Sequence, residues 1–247
     1  HHQTMFTAFL LLLSSAAAVK IQIYNKCPFP VWPGIQGSTL IENGGFYLAG
    51  GASKTVTVPD GWTAGRIWGR TGCDKNFNCA TGFCGNSLAC QGRGGEPPAT
   101  LAEFTLKASG GQDYYDISLV DGYNLPMLIL PKSGTFKSNG GQYDCKVSGG
   151  CVKDLLKMCP AELSKKVNGQ TVGCKSACLA FGTDTYCCAG AHNTPQTCKS
   201  SSWPKNYPAI FKDACPTAYS YAYDDHTSTF TCRGSKSASP DYLVQFC

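Results

Sequence analysis

Two aspartates, Asp116 and Asp121, interrupt an otherwise apolar run, YYDISLVDGYN, at residues 114–124. Strand interiors disfavour aspartate, so carboxylates in such a run need an explanation. Pairs of carboxylates carry out glycoside hydrolysis, in which one donates a proton and the other acts as nucleophile or base. Each aspartate also has a structural explanation: Asp116 can bond the backbone at a bulge, and Asp121-Gly122 is an ordinary turn pair.

The spacing of the two aspartates restricts how they can act together. Strand parity places residues 116 and 121 on opposite faces of an unbroken strand. If both line one cleft, the chain has to bend or bulge between them, and Gly122 marks the position where it can turn.

Other chemistries find little support in the sequence. No Gly-x-Ser-x-Gly elbow accompanies His192 or His226, and GGASKT at residues 50–55 lacks the phosphate-loop spacing. With only 4 His and no repeated C-x-x-C pair, we expect no metal site, and we expect no cofactor. The net charge is +5, but the lysines are scattered, which argues against nucleic-acid binding.

Short strands have to position these side chains. Alternation in KIQIYNKC (20–27) and TVTVPDGW (55–62) predicts half-buried strands, and further strands are predicted within 99–143 and 216–247. Turn signals every eight to twelve residues favour a β-sandwich or barrel. Helical spacing predicts two short helices, in CVKDLLKMC (151–159) and YPAIFKDAC (207–215).

The N-terminal residues and the cysteines predict a secreted protein. Residues 1–18 hold a short apolar run followed by small residues, so we interpret them as a signal peptide, with preceding residues, cleaved after Ala18. No stretch is long and apolar enough to cross a membrane. An even number of cysteines behind a signal peptide predicts eight disulfides formed in an oxidising compartment. The 16 cysteines are Cys27, Cys73, Cys79, Cys84, Cys90, Cys145, Cys151, Cys159, Cys174, Cys178, Cys187, Cys188, Cys198, Cys215, Cys232 and Cys247.

Several longer motifs together resemble one family, the thaumatin-like, pathogenesis-related proteins that include osmotin and zeamatin. The resemblance covers essentially all of residues 20–247, and all 16 cysteines follow the family's order. The motifs are GRIWGRTGC (65–73), CATGFC (79–84), PPATLAEFTL (97–106), YYDISLVDGYNLPM (114–127), YCC (186–188), CPTAYSYAYDDHTSTFTC (215–232) and the terminal FC.

The resemblance implies a mainly β fold with three parts. A β-sandwich domain I spans 19–70, 99–152 and 216–247, a helix-bearing disulfide-rich domain II spans 153–215, and a small disulfide loop, domain III, spans 71–98. The disulfide pairing that it implies is 27–247, 73–79, 84–90, 145–232, 151–215, 159–174, 178–187 and 188–198.

The resemblance also implies an acidic cleft between domains I and II. Its substrate-binding residues are Arg66, Glu103, Asp116, Asp121 and Asp224, all present here. Glu103 is the candidate general acid, with Asp121 or Asp116 as base or nucleophile. Aromatic residues beside the carboxylates in sequence, above all Phe104 and Tyr123 but also Tyr115 and Tyr223, are expected to cover sugar faces.

A secreted, monomeric defence protein that binds β-1,3-glucan, or another neutral polysaccharide of the fungal surface, is the expected function. For some members the resemblance further implies weak endo-β-1,3-glucanase activity. One departure from the family pattern, Phe83 in place of an acidic residue of domain III, supports an alternative: an inhibitor or receptor-binding module that uses exposed loops. The net charge leaves open a third function, permeabilisation of fungal membranes.

Overall fold

The computed structural model describes residues 17–224 and 226–247, apart from the side chain of His226. Short strands dominate these residues, as the alternating segments predict. They are β1 (Ala18–Asn25), β2 (Trp32–Gln36), β3 (Ser53–Pro59), β4 (Gly65–Arg70), β5 (Leu101–Thr105), β6 (Asp113–Ser118), β7 (Met127–Pro131), β8 (Phe136–Lys137), β9 (Ser148–Gly149), β10 (Ser164–Val167), β11 (Gln170–Cys174), β12 (Phe230–Gly234) and β13 (Tyr242–Phe246).

The helices are short and lie mostly in the third quarter of the chain. They are α1 (Leu155–Met158), α2 (Ala177–Phe181), α3 (Asp184–Cys187) and α4 (Tyr207–Ala214). Single turns of 3-10 helix occupy Glu42–Gly44, Ser109–Gly111, Ala161–Leu163, Gly190–His192, Ser200–Ser202 and His226–Ser228.

Two sheets carry most of the strands. The first has the order β3-β1-β13-β7-β9, with β1 and β13 parallel and the other pairs antiparallel. The second has the order β2-β4-β5-β6-β12-β8 and is antiparallel throughout. Strands β10 and β11 form a separate hairpin.

The alternation along each strand explains why the two sheets pack face to face. Ile21 and Ile23 of β1 are fully buried, whereas the intervening Gln22 is not. Aromatic rings join the two sheets: Tyr242 of β13 meets Phe104 of β5 at 5.2 Å and Tyr115 of β6 at 5.4 Å between ring centroids. The core therefore lies between the sheets, and the outer face of the second sheet is left for other uses.

All sixteen cysteines are paired, in the eight disulfides that the family resemblance implies. The bond between Cys27 and Cys247 joins the residues that follow β1 and β13. It closes a loop of 220 residues, the case in which the chain-entropy account of disulfides gives the largest stabilisation, about 4–5 kcal/mol.

The helical predictions are confirmed for one segment and only partly for the other. Helix α4 forms where it was predicted, with Pro208 in its first turn. Helix α1 is limited to Leu155–Met158, and Val152, which the helical pattern included, lies outside it and is 69% exposed. The hairpin of β10 and β11 is an addition that the cysteine-rich composition of this segment did not reveal.

The predicted signal peptide falls largely outside the described residues, which begin at residue 17. The first strand already includes Ala18, which pairs with Pro59 of β3. Within residues 17–224 and 226–247, no helix is both long enough and apolar enough to cross a bilayer.

Candidate functional site

Three of the predicted site residues form a row across adjacent strands of the second sheet. Arg66 on β4 pairs with Glu103 on β5, and Glu103 pairs with Asp116 on β6. Residues directly opposite each other on antiparallel strands have Cβ atoms only about 4.5–5.5 Å apart, so the three side chains are neighbours. We call Arg66, Glu103 and Asp116 the polar row.

The polar row faces away from the core because its sequence neighbours face into it. Ile67, Phe104 and Ile117 each follow a row residue and are at most 2% exposed. Since successive side chains of a strand point to opposite faces, burial of these three sends the row to the outer face.

Arg66 and Glu103 form a loose ion pair. Arg66 Nε lies 3.8 Å from Glu103 Oε2, and the two side chains are 46% and 31% exposed. A pair this open to solvent contributes at most about 1 kcal/mol to stability. The guanidinium therefore has donors to offer a ligand.

Asp116 holds a proton at neutral pH. Burial first, and the nearby Glu103 carboxylate second, raise its pKa from 3.8 to about 8, against the lowering effect of Arg66. Burial likewise raises the pKa of Glu103, whereas Arg66 and a hydrogen bond from Ser118 lower it. The charge of Asp121 adds to the rise. Because like charges this close do not both ionise readily, the pair shares a proton, and we place it on Asp116, the more buried partner.

Asp121 reaches the row because the chain bends after Ser118, the last residue of β6. The Gly122 amide donates to the Leu119 carbonyl at 2.9 Å, which closes a turn, and Gly122 has φ +85. A Cβ at Gly122 would lie 2.6 Å from Pro98 Cβ, so only glycine fits this turn. The bend expected between the two aspartates is therefore present, and the Asp121 carboxylate acts electrostatically on Glu103.

Asp224 anchors a loop to α4. Its Oδ2 accepts hydrogen bonds from Lys212 Nζ at 2.9 Å, from the Ser220 amide at 2.9 Å and from the Ser220 hydroxyl at 2.8 Å. The side chain is only 9% exposed. Lys212 extends the network to the Ala218 carbonyl at 3.0 Å and to Ser228 Oγ at 2.7 Å. Asp224 and Lys212 therefore tie Ala218, Ser220 and Ser228 together, and Asp224 has little surface for a ligand.

Two residues that the sequence reasoning missed complete the site. Tyr219 forms a parallel β-bridge with Ser118, and the Tyr219 hydroxyl hydrogen-bonds Thr229. Burial raises the pKa of Tyr219 most, and the negative charges of Asp116, Asp224 and Glu103 raise it further. Ser118 hydrogen-bonds Glu103. Parity was the available signal for Ser118, which is two residues beyond Asp116 and so on the same face.

Comparison with known proteins decides the family. The model of the Thaumatin family matches residues 25–247.

The chain belongs to the thaumatin family.

Its relatives share both length and sequence. It is 49% identical over 249 residues to the pathogenesis-related thaumatin-like protein 3.5 of Cryptomeria japonica, covering 97% of this chain and 95% of that one. It is 46% identical over 247 residues to a protein of Prunus avium named glucan endo-1,3-beta-glucosidase, covering 96% of this chain and 94% of that one. The chain also aligns with a solved structure, a family 64 laminaripentaose-producing β-1,3-glucanase of Paenibacillus barengoltzii complexed with laminarihexaose. The TM-score is 0.56 and the identity 14%, over 97% of this chain and 78% of that chain, so the match shows a shared fold alone.

In this thaumatin family member, the aromatic residues expected to stack on sugars lie in the core. Phe104 is 2% exposed and Tyr123 is 1% exposed, so neither ring can meet a ligand, and the prediction that they bind substrate is wrong. Phe104 directly follows Glu103 on β5 and therefore points to the opposite face. Tyr115 is fully buried for the same reason, whereas the half-exposed Tyr223 bonds the Asn193 carbonyl at 2.5 Å.

Phe83 is half-buried rather than fully exposed. Its carbonyl accepts a hydrogen bond from the Glu96 amide at 2.7 Å, which ties together the two arms of the 71–98 loop. This placement weakens the case for Phe83 as an exposed anchor of an inhibitory interface.

Over the described ranges 17–224 and 226–247, no group of three or more His, Cys, Asp or Glu side chains has an arrangement that could hold a metal ion.

Proposed function

We propose that the chain is a secreted defence protein that binds β-1,3-glucan of the fungal surface across the polar row and Asp121. The observation that carries the proposal is the alignment of Arg66, Glu103 and Asp116 on the outer face of the second sheet. Eight disulfides support the secreted location, since such bonds persist in oxidising compartments.

The chemistry of the row suits a neutral polyol. Sugar hydroxyls both donate and accept, and the row together with Asp121 offers both functions. The Arg66 guanidinium and a protonated Asp116 donate, while Glu103 and Asp121 accept. Three carboxyl groups and one guanidinium sum to a formal charge of −2, which the proton on Asp116 reduces to −1. A modest negative charge of this kind disfavours acidic polymers and leaves neutral glucans as ligands.

Isothermal titration with laminarihexaose tests the binding proposal. We expect the double variant Glu103→Gln, Asp121→Asn to bind at least about tenfold more weakly, because each lost hydrogen bond to a charged group is worth about 1.5–3 kcal/mol. Asp213→Asn is the matched control, since Asp213 is exposed on α4 and pairs with Lys153. Equal affinity of the double variant and the wild type would refute the proposal.

A second proposed activity, weak endo-β-1,3-glucanase, is favoured by the protonation state of Asp116. An acid that keeps its proton up to about pH 8 can pass it to the glycosidic oxygen as the C1–O bond breaks. Glu103 or Asp121 then serves as the base that takes a proton from the attacking water, or as the nucleophile. The acid role thus moves from Glu103, which contacts Arg66, to Asp116, and the name of the Prunus avium relative agrees with this class of reaction.

Release of reducing ends from laminarin measures this activity. We expect Asp116→Asn to abolish release while keeping glucan affinity, because asparagine still donates a hydrogen bond but cannot transfer a proton. In the wild type the rate should fall as the pH rises through about 8, since the acid must be protonated to act. Undiminished turnover by Asp116→Asn would rule out this role.

A further inference from the structure

A cavity of about 100 Å³ lies between Asp121 and the helices. It lies between the turn at Val120 and Asp121, helices α2 to α4 and residues 220–222. Five aromatic rings line it, and they are those of Tyr186, Trp203, Tyr207, Phe211 and Tyr221. Asp121 is the charged residue of its lining and also acts on Glu103, so this one carboxylate belongs to both sites.

The aromatic rings of the lining contact one another edge to face. Trp203 meets Tyr186 at 5.0 Å with an angle of 85° between the ring planes, and it meets Tyr221 at 5.4 Å with 75°. The Cys178–Cys187 disulfide lies in the same wall and ties α2 to α3. Aromatic rings favour this edge-to-face geometry, so a further ring placed against this wall continues the arrangement.

The polar groups of the lining determine which substituent an aromatic guest can have. The Ser176 hydroxyl accepts from the Leu179 amide at 3.2 Å, and the Ser220 hydroxyl donates to Asp224 at 2.8 Å, so both are engaged. The Tyr207 hydroxyl donates to Glu162 at 3.0 Å. Asp121 is the carboxylate of the lining, and it accepts hydrogen bonds. A ring bearing a hydroxyl group suits this wall, whereas an anionic ring is repelled by Asp121 and Glu103.

The dimensions restrict the guest to a single ring. An enclosed cavity of about 150 Å³ holds one benzene ring, so this cavity of about 100 Å³ takes one ring with part of it in the opening. Leu179 and Ala222 are exposed residues of the lining and form its rim, so the hydroxyl end of a guest can reach the opening.

We propose that this cavity is a binding site for one neutral hydroxylated aromatic ring, a simple phenol, whose hydroxyl donates to the Asp121 carboxylate. Its ligand differs from the proposed glucan, and the only residue that it shares with the proposed glucan site is Asp121.

Titration of three fluorinated probes, followed by fluorine NMR at about pH 6, where a phenol is neutral, tests the proposal. We expect 4-fluorophenol to bind saturably and about tenfold more tightly than fluorobenzene, which lacks the hydroxyl that bonds Asp121. The anion 4-fluorobenzoate should bind most weakly of the three. Absence of saturable 4-fluorophenol binding, or equal affinity for the phenol and the benzoate, would overturn the proposal.

Two variants locate the site. Ala177→Leu fills the cavity, because Ala177 lines it and is only 5% exposed, and it should weaken 4-fluorophenol binding at least tenfold. Its matched control is Ala209→Leu, on an exposed position of α4 outside the lining, which should leave the affinity unchanged.

Asp121→Asn keeps the volume and removes the charge, so it should bring the affinities for phenol and benzoate closer together. Unchanged discrimination in this variant would overturn the proposal even if Ala177→Leu fails to fold. None of these measurements contains a sugar, so their failure is distinct from a failure of the glucan proposal. Laminarihexaose binding by Ala177→Leu should equal that of the wild type.

Discussion

Replacing Asp116 by asparagine should make the protein more stable at alkaline pH and leave its stability unchanged at acid pH. Burial first, and Glu103 second, raise the pKa of this carboxyl from 3.8 to about 8 in the folded protein. The folded state therefore holds a proton that the unfolded chain has already released. Folding carries a free-energy cost wherever the two states differ in this way.

The sign and size follow from the two pKa values. Below about pH 4 both states are protonated and Asp116 adds no penalty, whereas between about pH 4 and pH 8 the wild type loses stability as the pH rises. Each unit of difference in pKa corresponds to 1.36 kcal/mol, so a difference of about four units sets a ceiling on the order of 5 kcal/mol. Because Glu103 shares the proton, we expect a gain of a few kcal/mol for Asp116→Asn at about pH 8.

Calorimetric unfolding of the disulfide-intact protein across this pH range measures the effect. Asp213→Asn serves as the control, since Asp213 has 57% of its side chain exposed and lies on α4. The difference between Asp116→Asn and the wild type should be near zero at about pH 4 and should grow steadily towards pH 8. A difference that stays constant with pH would show that Asp116 is not held protonated by its surroundings.

Three further substitutions test how the site is supported. The fully buried Arg70 donates to two carbonyls of β2 and to the carbonyls of residues 87 and 88. Arg70→Met should therefore destabilise the protein by about 3 kcal/mol or more and make the 71–98 loop sensitive to proteolysis. Lys212→Met should cost about 3 kcal/mol in thermal unfolding and weaken glucan binding, because it removes the cation beside the 9%-exposed Asp224. Phe104→Ala should cost about 3–5 kcal/mol by calorimetry, yet the folded fraction should bind laminarihexaose as the wild type does, since this ring faces the core. A selective loss of glucan affinity in Phe104→Ala would contradict its placement.

The β-rich architecture was predictable because its signal is local. Alternation between Ile21 or Ile23 and polar neighbours marks β1, and the same period marks β3 through Val56 and Val58. The disulfide pairing was not local information, and it came from the family resemblance. Spacing alone leaves the partners of sixteen cysteines undetermined.

The hairpin of β10 and β11 was missed although its signal was present. Asn168-Gly169 lies between two polar strands, and both residues have positive φ, at +50 and +78, as a type I′ turn requires. The strands carry Lys165, Lys166 and Gln170 rather than alternating apolar residues, so a search by hydrophobic period passes over them.

Part of the site followed from the sequence, and part depended on tertiary pairing. The motifs gave Arg66, Glu103 and Asp116, but only the strand register shows that they stand side by side. The aromatic prediction failed because adjacency in sequence was used where alternation applies: Phe104 and Glu103 are neighbours in the chain and lie on opposite faces of β5. The ion pair between Lys212 and Asp224 joins a helix to a loop, and no periodic pattern in the sequence predicts it.

The two aspartates of YYDISLVDGYN illustrate what the turn contributes. In an unbroken strand they would point to opposite faces, and only one could meet a ligand. The bend closed between Leu119 and Gly122 removes that restriction and brings the Asp121 carboxylate within electrostatic reach of Glu103. A substitution at Gly122 is disfavoured both by its φ of +85 and by the contact with Pro98.

The location of bound glucan is the most direct test of the central claim. In a crystal structure of the complex with laminarihexaose, we predict glucosyl hydroxyls within hydrogen-bonding distance of Arg66, Glu103 and Asp116, with the chain crossing β4, β5 and β6. Occupancy of another surface, with the polar row left in contact with solvent alone, would contradict the claim.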